Sequence, residues 1–189
     1  MSSLLKMNAD KFWDGALLGC PADLAPWLHD RSSLTLRIQQ RCTNFKVDKV
    51  RTGLARIALD ESALLGIPPQ QLAYSREVFL YADDQPVVFA HSALAPEHLR
   101  SAWSAVRTLG NKPLGALLFA HPLVARMPLH YKALRNTHPL YQRAASMLAD
   151  PPPRLWARRS LFYLYDAPLL VTEVFLPGIL LLTNRYGRF

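Results

Sequence analysis

The sequence predicts an α+β fold built on an antiparallel sheet, and two patterns carry that expectation. The β-rich runs come in pairs joined by tight turns. Residues 72–82 and 86–94 flank Asp83-Asp84, and 156–165 and 168–176 flank Asp166-Ala167. The helix-like segments are bunched between these hairpins and do not alternate with single strands, which argues against βαβ crossovers and a parallel sheet. At 189 residues the chain suits one substantial core, so a single domain over 1–189 is expected.

Each element follows from local signals. Residues 22–42 read as short helices: Pro21-Ala22-Asp23 opens one, and Asp30-Arg31-Ser32-Ser33 offers caps for 34–41. Residues 44–57 alternate loosely as a strand, and Leu65-Gly66-Ile67-Pro68-Pro69 is a loop. After the 72–94 hairpin, Pro96-Glu97 opens a helix to about Thr108, closed by Gly110. Pro113 suits the first position of a helix over 114–120, whose opening amides at Leu114 and Gly115 have no acceptor within it. A strand is expected near 123–131, then a helix over 138–149 fenced by Asp150-Pro151-Pro152-Pro153, then the 156–176 hairpin and a tail over 180–189.

Composition narrows the function classes. Half the residues are apolar and 19% are charged, as in a soluble globular chain, with a net charge of +8. The basic residues are scattered, which fits a solvated face, a pocket for an anionic metabolite, or loose attraction to an anionic membrane. No helix-turn-helix, zinc-finger or RNP pattern accompanies them, so no nucleic-acid partner is expected. Cys20 and Cys42 lack C-x-x-C spacing and read as free thiols. The start, MSSLLKMNADKF, has no export-signal pattern, and the apolar stretch 175–182 is broken by Pro177-Gly178, short of the roughly 20 residues a span needs. A cytoplasmic protein without stable membrane insertion is the expectation.

Two charged residues sit where the pattern is apolar. In 168–176 one phase reads Leu169, Val171, Glu173, Phe175, and the other is Leu170, Thr172, Val174, Leu176. Glu173 therefore meets an apolar surface, either in an ion pair with an arginine such as Arg158 or Arg159, or reserved for chemistry. In 72–82 the phase Tyr74, Arg76, Val78, Leu80 places a guanidinium among apolar neighbours, while the opposite phase carries Glu77. Arg76 needs an anion there: Glu173, or a ligand carboxylate held in bidentate fashion. The helix starts at Leu34 and Leu114 add backbone donors suited to a carboxylate. The six histidines form no H-x-x-x-H or His–carboxylate cluster on one element, and most read as surface or loop residues. Neither G-x-G-x-x-G, Walker A nor G-x-S-x-G occurs. Together these features outline a small pocket for a carboxylic acid with no metal or cofactor.

Three segments carry a resemblance. Ser75-Arg76-Glu77-Val78-Phe79-Leu80 with Ala82-Asp83, then Leu109-Gly110-Asn111-Lys112-Pro113-Leu114-Gly115 with Leu118-Phe119, then Trp156-Ala157-Arg158-Arg159-Ser160 with 168–177 follow in the order and wording of bacterial chorismate pyruvate-lyase. The chain resembles that family from about Leu24 to Pro177. The resemblance implies about six antiparallel strands, with helical flaps over one buried ligand site. It implies that Arg76 and the main chain at Leu34 and Leu114 hold the ligand while Glu173 faces the ring hydroxyl, with Arg76 and Glu173 as the catalytic pair. Leu34 stands where a well-known member has methionine, a change that a backbone contact tolerates. Relative to compact members, 130–153 reads as a helical insertion and the chain after 177 as an extended tail.

The implied activity is conversion of chorismate to 4-hydroxybenzoate and pyruvate, the opening step of ubiquinone biosynthesis, by a metal- and cofactor-independent monomer. Its partners would be the substrate chorismate and the product 4-hydroxybenzoate. The alternative is a non-catalytic effector-sensing module of the same fold. Such modules follow a DNA-binding domain of some 60–70 residues, where only about two dozen residues precede the matched region.

Overall fold

Seven strands, in line with an expectation of about six, form one antiparallel sheet in the computed structural model, which describes residues 13–182. The opening stretch 1–12, read above for an export signal, and 183–189 of the expected tail lie outside the described residues. The strands are β1 (Phe45–Ala55), β2 (Ala73–Ala82), β3 (Gln85–Leu94), β4 (Val124–Arg126), β5 (His130–Arg135), β6 (Arg154–Leu164) and β7 (Ala167–Phe175). Their order is β1-β2-β3-β7-β6-β4, with β5 also on the outer edge of β6. The seventh strand arises where one was expected near 123–131. Pro128 has no N–H for the ladder, so the segment breaks into β4 against 162–164 and β5 against 154–159.

Both predicted hairpins form, with one adjustment. Ala82 pairs with Gln85, and Asp83 and Asp84 take φ 47 and 65, as a two-residue turn with positive φ requires. The second turn lies one residue earlier than expected: Leu164 pairs with Ala167, leaving Tyr165-Asp166 as the loop. Tyr165 takes the positive φ of this turn, 54, and the buried Ala167 accepts the Trp103 indole N–H at its carbonyl at 3.0 Å.

Short helices cover the sheet: α1 (Ala25–His29), α2 (Leu34–Gln39), α3 (Leu59–Leu65), α4 (Leu114–Ala120) and α5 (Pro139–Ala145). The helix expected from Pro96 to Thr108 is instead two 3-10 turns, His98–Arg100 and Ser104–Thr108. Ser, Val and Thr there are indifferent helix formers, and burial of Trp103 and Val106 decides the path. The unpredicted α3 starts at Ala58, which has no capping side chain. Glu61 Oε2 instead accepts the Ala58 N–H at 2.9 Å, and Gly66 closes the helix at φ 68. Helix α5 is shorter than the expected 138–149, and Leu140, Tyr141 and Ala144 bury with Leu134 of β5 against the sheet. The stretch 130–153 thus contributes a strand as well as a helix to the core.

Because β2 is buried on both faces, Glu77 is as enclosed as Arg76. On the Glu77 side lies a charge cluster around His91, a buried β3 residue and not the surface or loop histidine expected of most of the six. Its Nδ1 is 3.1 Å from Glu77 Oε1, and its Nε2 makes an ionic contact of 3.2 Å with Glu61 Oε1. Arg143 of α5 approaches Glu77 at 2.9 Å. Burial pulls the imidazole pKa down, but the charges and hydrogen bonds of Glu61 and Glu77 outweigh it and push it from 6.5 to about 9. Protonated His91 therefore stabilises the fold fully below pH 6.5, and that contribution is lost as pH rises through about 9. For Glu61 and Glu77 burial works upward, yet His91 and Arg143 hold both below the ordinary 4.5, so their contributions vanish as the solution is acidified below that value. Melting temperature should fall between pH 6.5 and 9, and in His91→Gln this alkaline decline should flatten. A wild-type melting curve level across that range would contradict the cluster's charge state.

Candidate active site

Two rows of residues, two positions apart on one face of the sheet, make the floor of a cavity. One row is Arg76–Ser92–Val171–Ser160 across β2, β3, β7 and β6; the next is Val78–Ala90–Glu173–Arg158. Above them stand Ser32, Leu34 and Thr35 from the start of α2, and Pro113, Leu114, Gly115, Leu118 and Phe119 from α4. Arg126 of β4, with Leu129 and Phe162, completes the wall of the cavity. Small Ala90 pairs directly with Glu173 and leaves room in front of the carboxylate.

The two helix starts meet over this floor. Ser33 Oγ accepts the Leu36 N–H at 3.3 Å, and the Leu34 and Thr35 amides have no acceptor within their own helix. Helix α4 begins after Pro113, with Leu114 and Gly115 in the same position. Their close approach depends on Gly115, where a Cβ would stand 3.2 Å from Thr35 Oγ1.

Arg76 is buried, and its Nη2 donates to the carbonyls of Gly110 and Lys112 at 3.1 and 2.8 Å, in the loop that leads into α4. Burial pulls its pKa below the ordinary arginine value, with Tyr74 opposing. Among the described residues it has no acid partner. Pairing with Glu173, one of the two expected anions, is not formed. The two residues stand two strands and two positions apart, about 12 Å between Cα atoms by ideal sheet spacing.

Glu173 pairs with Arg158, its cross-strand neighbour, at 2.5 Å from Nε to Oε2. Arg158 is 1% exposed and Glu173 18%, so the acid retains an open side in the cavity wall. Arg158 Nη1 also donates to the carbonyls of Trp27, Leu28 and Asp30 at 3.0, 3.2 and 2.5 Å, closing the C-terminal end of α1. Arg159, the other candidate partner, points to the opposite face, where it meets Asp60 of α3 at 2.7 Å and stacks over Trp13.

The cavity thus brings together all four sequence-derived positions: Leu34, Arg76, Leu114 and Glu173. Sequence reasoning missed Arg126, whose three-residue edge strand gives almost no periodic signal, and the anchoring role of Arg158. Among the described residues no group of three His, Cys, Asp or Glu side chains is placed to hold a metal ion, and no helix is long and apolar enough to cross a membrane.

A family model for chorismate lyase matches residues 14–184. A relative from Nitrosomonas europaea named probable chorismate pyruvate-lyase is 47% identical over 175 residues, covering 93% of this chain and 98% of the relative. One of the same name from Nitrosospira multiformis is 49% identical over 165 residues, covering 85% and 92%. Among solved structures, the PhnF C-terminal domain is 14% identical with a TM-score of 0.57, covering 80% of this chain and 93% of that one. A GntR-family transcriptional regulator from Bacillus cereus is 11% identical with a TM-score of 0.53, covering 72% and 94%. Likeness at that identity speaks for the antiparallel α+β fold alone. With the family match spanning nearly the whole described chain and relatives near half identical, this chain belongs to the chorismate lyase family.

Proposed function

We propose that this chain converts chorismate to 4-hydroxybenzoate and pyruvate, without metal or cofactor, and so supplies the aromatic precursor of ubiquinone. One observation carries the reading beyond family membership. Arg76, buried and without an acid partner among the described residues, is tied to the loop that opens one of two helix starts that meet over the cavity, and the Glu173 carboxylate lines the same cavity two strands away. A para-disubstituted ring bearing a carboxylate and a hydroxyl bridges such a pair.

The reaction redistributes atoms already in the substrate. The hydrogen on the hydroxyl-bearing ring carbon leaves and the neighbouring ring carbon–oxygen ether bond breaks. The electron pair freed by the departing hydrogen completes the aromatic ring. The released enolpyruvate takes a proton at its methylene and becomes pyruvate. No electrons enter or leave, and aromatisation makes the step downhill, so the protein's work is positional and electrostatic. Arg76, with the Leu34 and Leu114 amides, anchors the ring carboxylate; a guanidinium offers a fork that an ammonium lacks. Glu173, held by Arg158, accepts a hydrogen bond from the ring hydroxyl and fixes which face of the ring loses hydrogen. The apolar walls from Val78, Leu118 and Phe162 keep water from these charges.

Purified protein mixed with chorismate should release 4-hydroxybenzoate and pyruvate in equal amounts. Binding of 4-hydroxybenzoate without any turnover would favour the non-catalytic binding module instead. Glu173→Gln separates the roles open to the acid. If Glu173 carries a proton, kcat should drop by about 10²–10⁴ with the fold intact. If it orients the ring, as proposed, the loss should be well below that while 4-hydroxybenzoate affinity weakens. Collapse of thermal stability without any change in product affinity would reduce Glu173 to the structural partner of Arg158.

A further inference from the structure

The cavity carries more positive charge than one carboxylate ligand needs. Three guanidiniums line it, those of Arg76, Arg126 and Arg158, against the single carboxylate of Glu173. Arg158 is satisfied by Glu173 and three main-chain carbonyls. That leaves Arg76 and Arg126 with no acid partner among the described residues, and two positive charges facing one enclosed space.

Arg126 is poised differently from Arg76. Its Nη1 donates to the Arg31 carbonyl at 2.8 Å, and its guanidinium lies 5.6 Å from the Phe119 ring centroid and 5.3 Å from that of Phe162. Its Nε is buried without a hydrogen-bond partner. Leaving a buried donor on a charged group unpaired is costly, so this nitrogen is suited to an acceptor that a ligand brings. Burial disfavours the Arg126 charge, and Glu173 and Asp30 oppose that effect. The Arg31 carbonyl that Arg126 holds follows directly on Asp30, whose own carbonyl is held by Arg158, the partner of Glu173, so the Arg126 guanidinium stands at the Glu173 end of the cavity.

We infer that Arg126 receives the second carboxylate of a dianionic ligand and is the residue by which the site tells substrate from product. This rests on the lyase reading above for the identity of the ligand. In chorismate the enolpyruvyl ether is attached next to the hydroxyl-bearing carbon. With the ring carboxylate on Arg76 and the hydroxyl on Glu173, the side-chain carboxylate falls at the Glu173 end, where Arg126 stands. Two uncompensated cations match a dianion. Once pyruvate departs, 4-hydroxybenzoate carries one carboxylate and no longer engages Arg126. The flanking rings Phe119 and Phe162 stand within cation–π range of the guanidinium.

The test compares monoanion and dianion on the intact protein and on Arg126→Gln and Arg126→Lys. The probes are 4-hydroxybenzoate and 3-(carboxymethoxy)-4-hydroxybenzoate, which keeps both carboxylates but cannot eliminate, alongside chorismate turnover. Arg126→Gln should weaken the dicarboxylate at least about 30-fold, the lower range for removing one member of a buried charge pair. It should cut kcat/KM for chorismate by a similar factor and leave 4-hydroxybenzoate affinity within about 3-fold. Arg126→Lys, which keeps charge but loses the planar fork, should recover part of the dicarboxylate affinity. Equal loss for both probes would make Arg126 a structural wall, and no loss for either would remove it from recognition; each overturns the inference. A wild-type protein that fails to turn over chorismate would sink the lyase reading, while the two binding titrations would still decide the role of Arg126.

Discussion

The architecture of this chain hangs on one buried guanidinium. Arg158, in the middle of β6, holds the main chain of 27–30 through three carbonyls and Glu173 through its Nε. The interaction does two things at once. It seats α1, and with it α2, over the sheet, and it fixes the carboxylate that closes one end of the cavity. A charge this deep is tolerated only because every strong acceptor around it is aligned, and loss of any partner would leave a buried ion uncompensated. A lysine in its place would offer one point charge where four acceptors converge. Its neighbour Arg159 performs the matching task on the other face by pairing with Asp60 of α3. The adjacent pair Arg158-Arg159 thus pins a layer to each side of the sheet, a consequence of strand alternation.

The remaining charges divide by face. On the His91 side they are ion-paired: Glu61, Glu77, His91 and Arg143 neutralise one another and tie α3 and α5 to β2 and β3. On the other side they are deliberately incomplete. Arg76 rests on two carbonyls, Arg126 on one, and neither has an acid among the described residues. One face is a structural network and the other a receptor, and the polarity of successive residues in β2 and β6 enforces that separation. Under the proposed reaction, the charge asymmetry is what would make such a site favour a dianion before the reaction and a monoanion less so after it.

Much of the site was legible in the sequence because strands keep a period of two. Arg76 and Glu173 each break an apolar phase, and Leu34 and Leu114 follow recognisable helix starts. The partners of those charges were not legible, since pairing depends on strand order. Whether Glu173 met Arg76, Arg158 or Arg159 follows from β7 lying between β3 and β6, which no local pattern reveals. His91 looked ordinary because its acids come from α3 and β2, not from its own strand. Arg126 was hidden by a strand of three residues, and α3 by a start at Ala58 that lacks a capping side chain. The second hairpin turn lies one residue earlier than its Asp-Ala signal because Tyr165, a residue type that gives no turn signal, takes the positive φ.

The most direct test of this account is a crystal structure of the protein with 4-hydroxybenzoate. The ring should lie between the two helix starts and the sheet. Its carboxylate should be on Arg76 and the amides of Leu34 and Leu114, its hydroxyl within hydrogen-bond distance of Glu173, and the Arg126 guanidinium should be free of it. A ligand bound with its carboxylate at Arg126, or seated beside His91 on the opposite face of the sheet, would contradict the account.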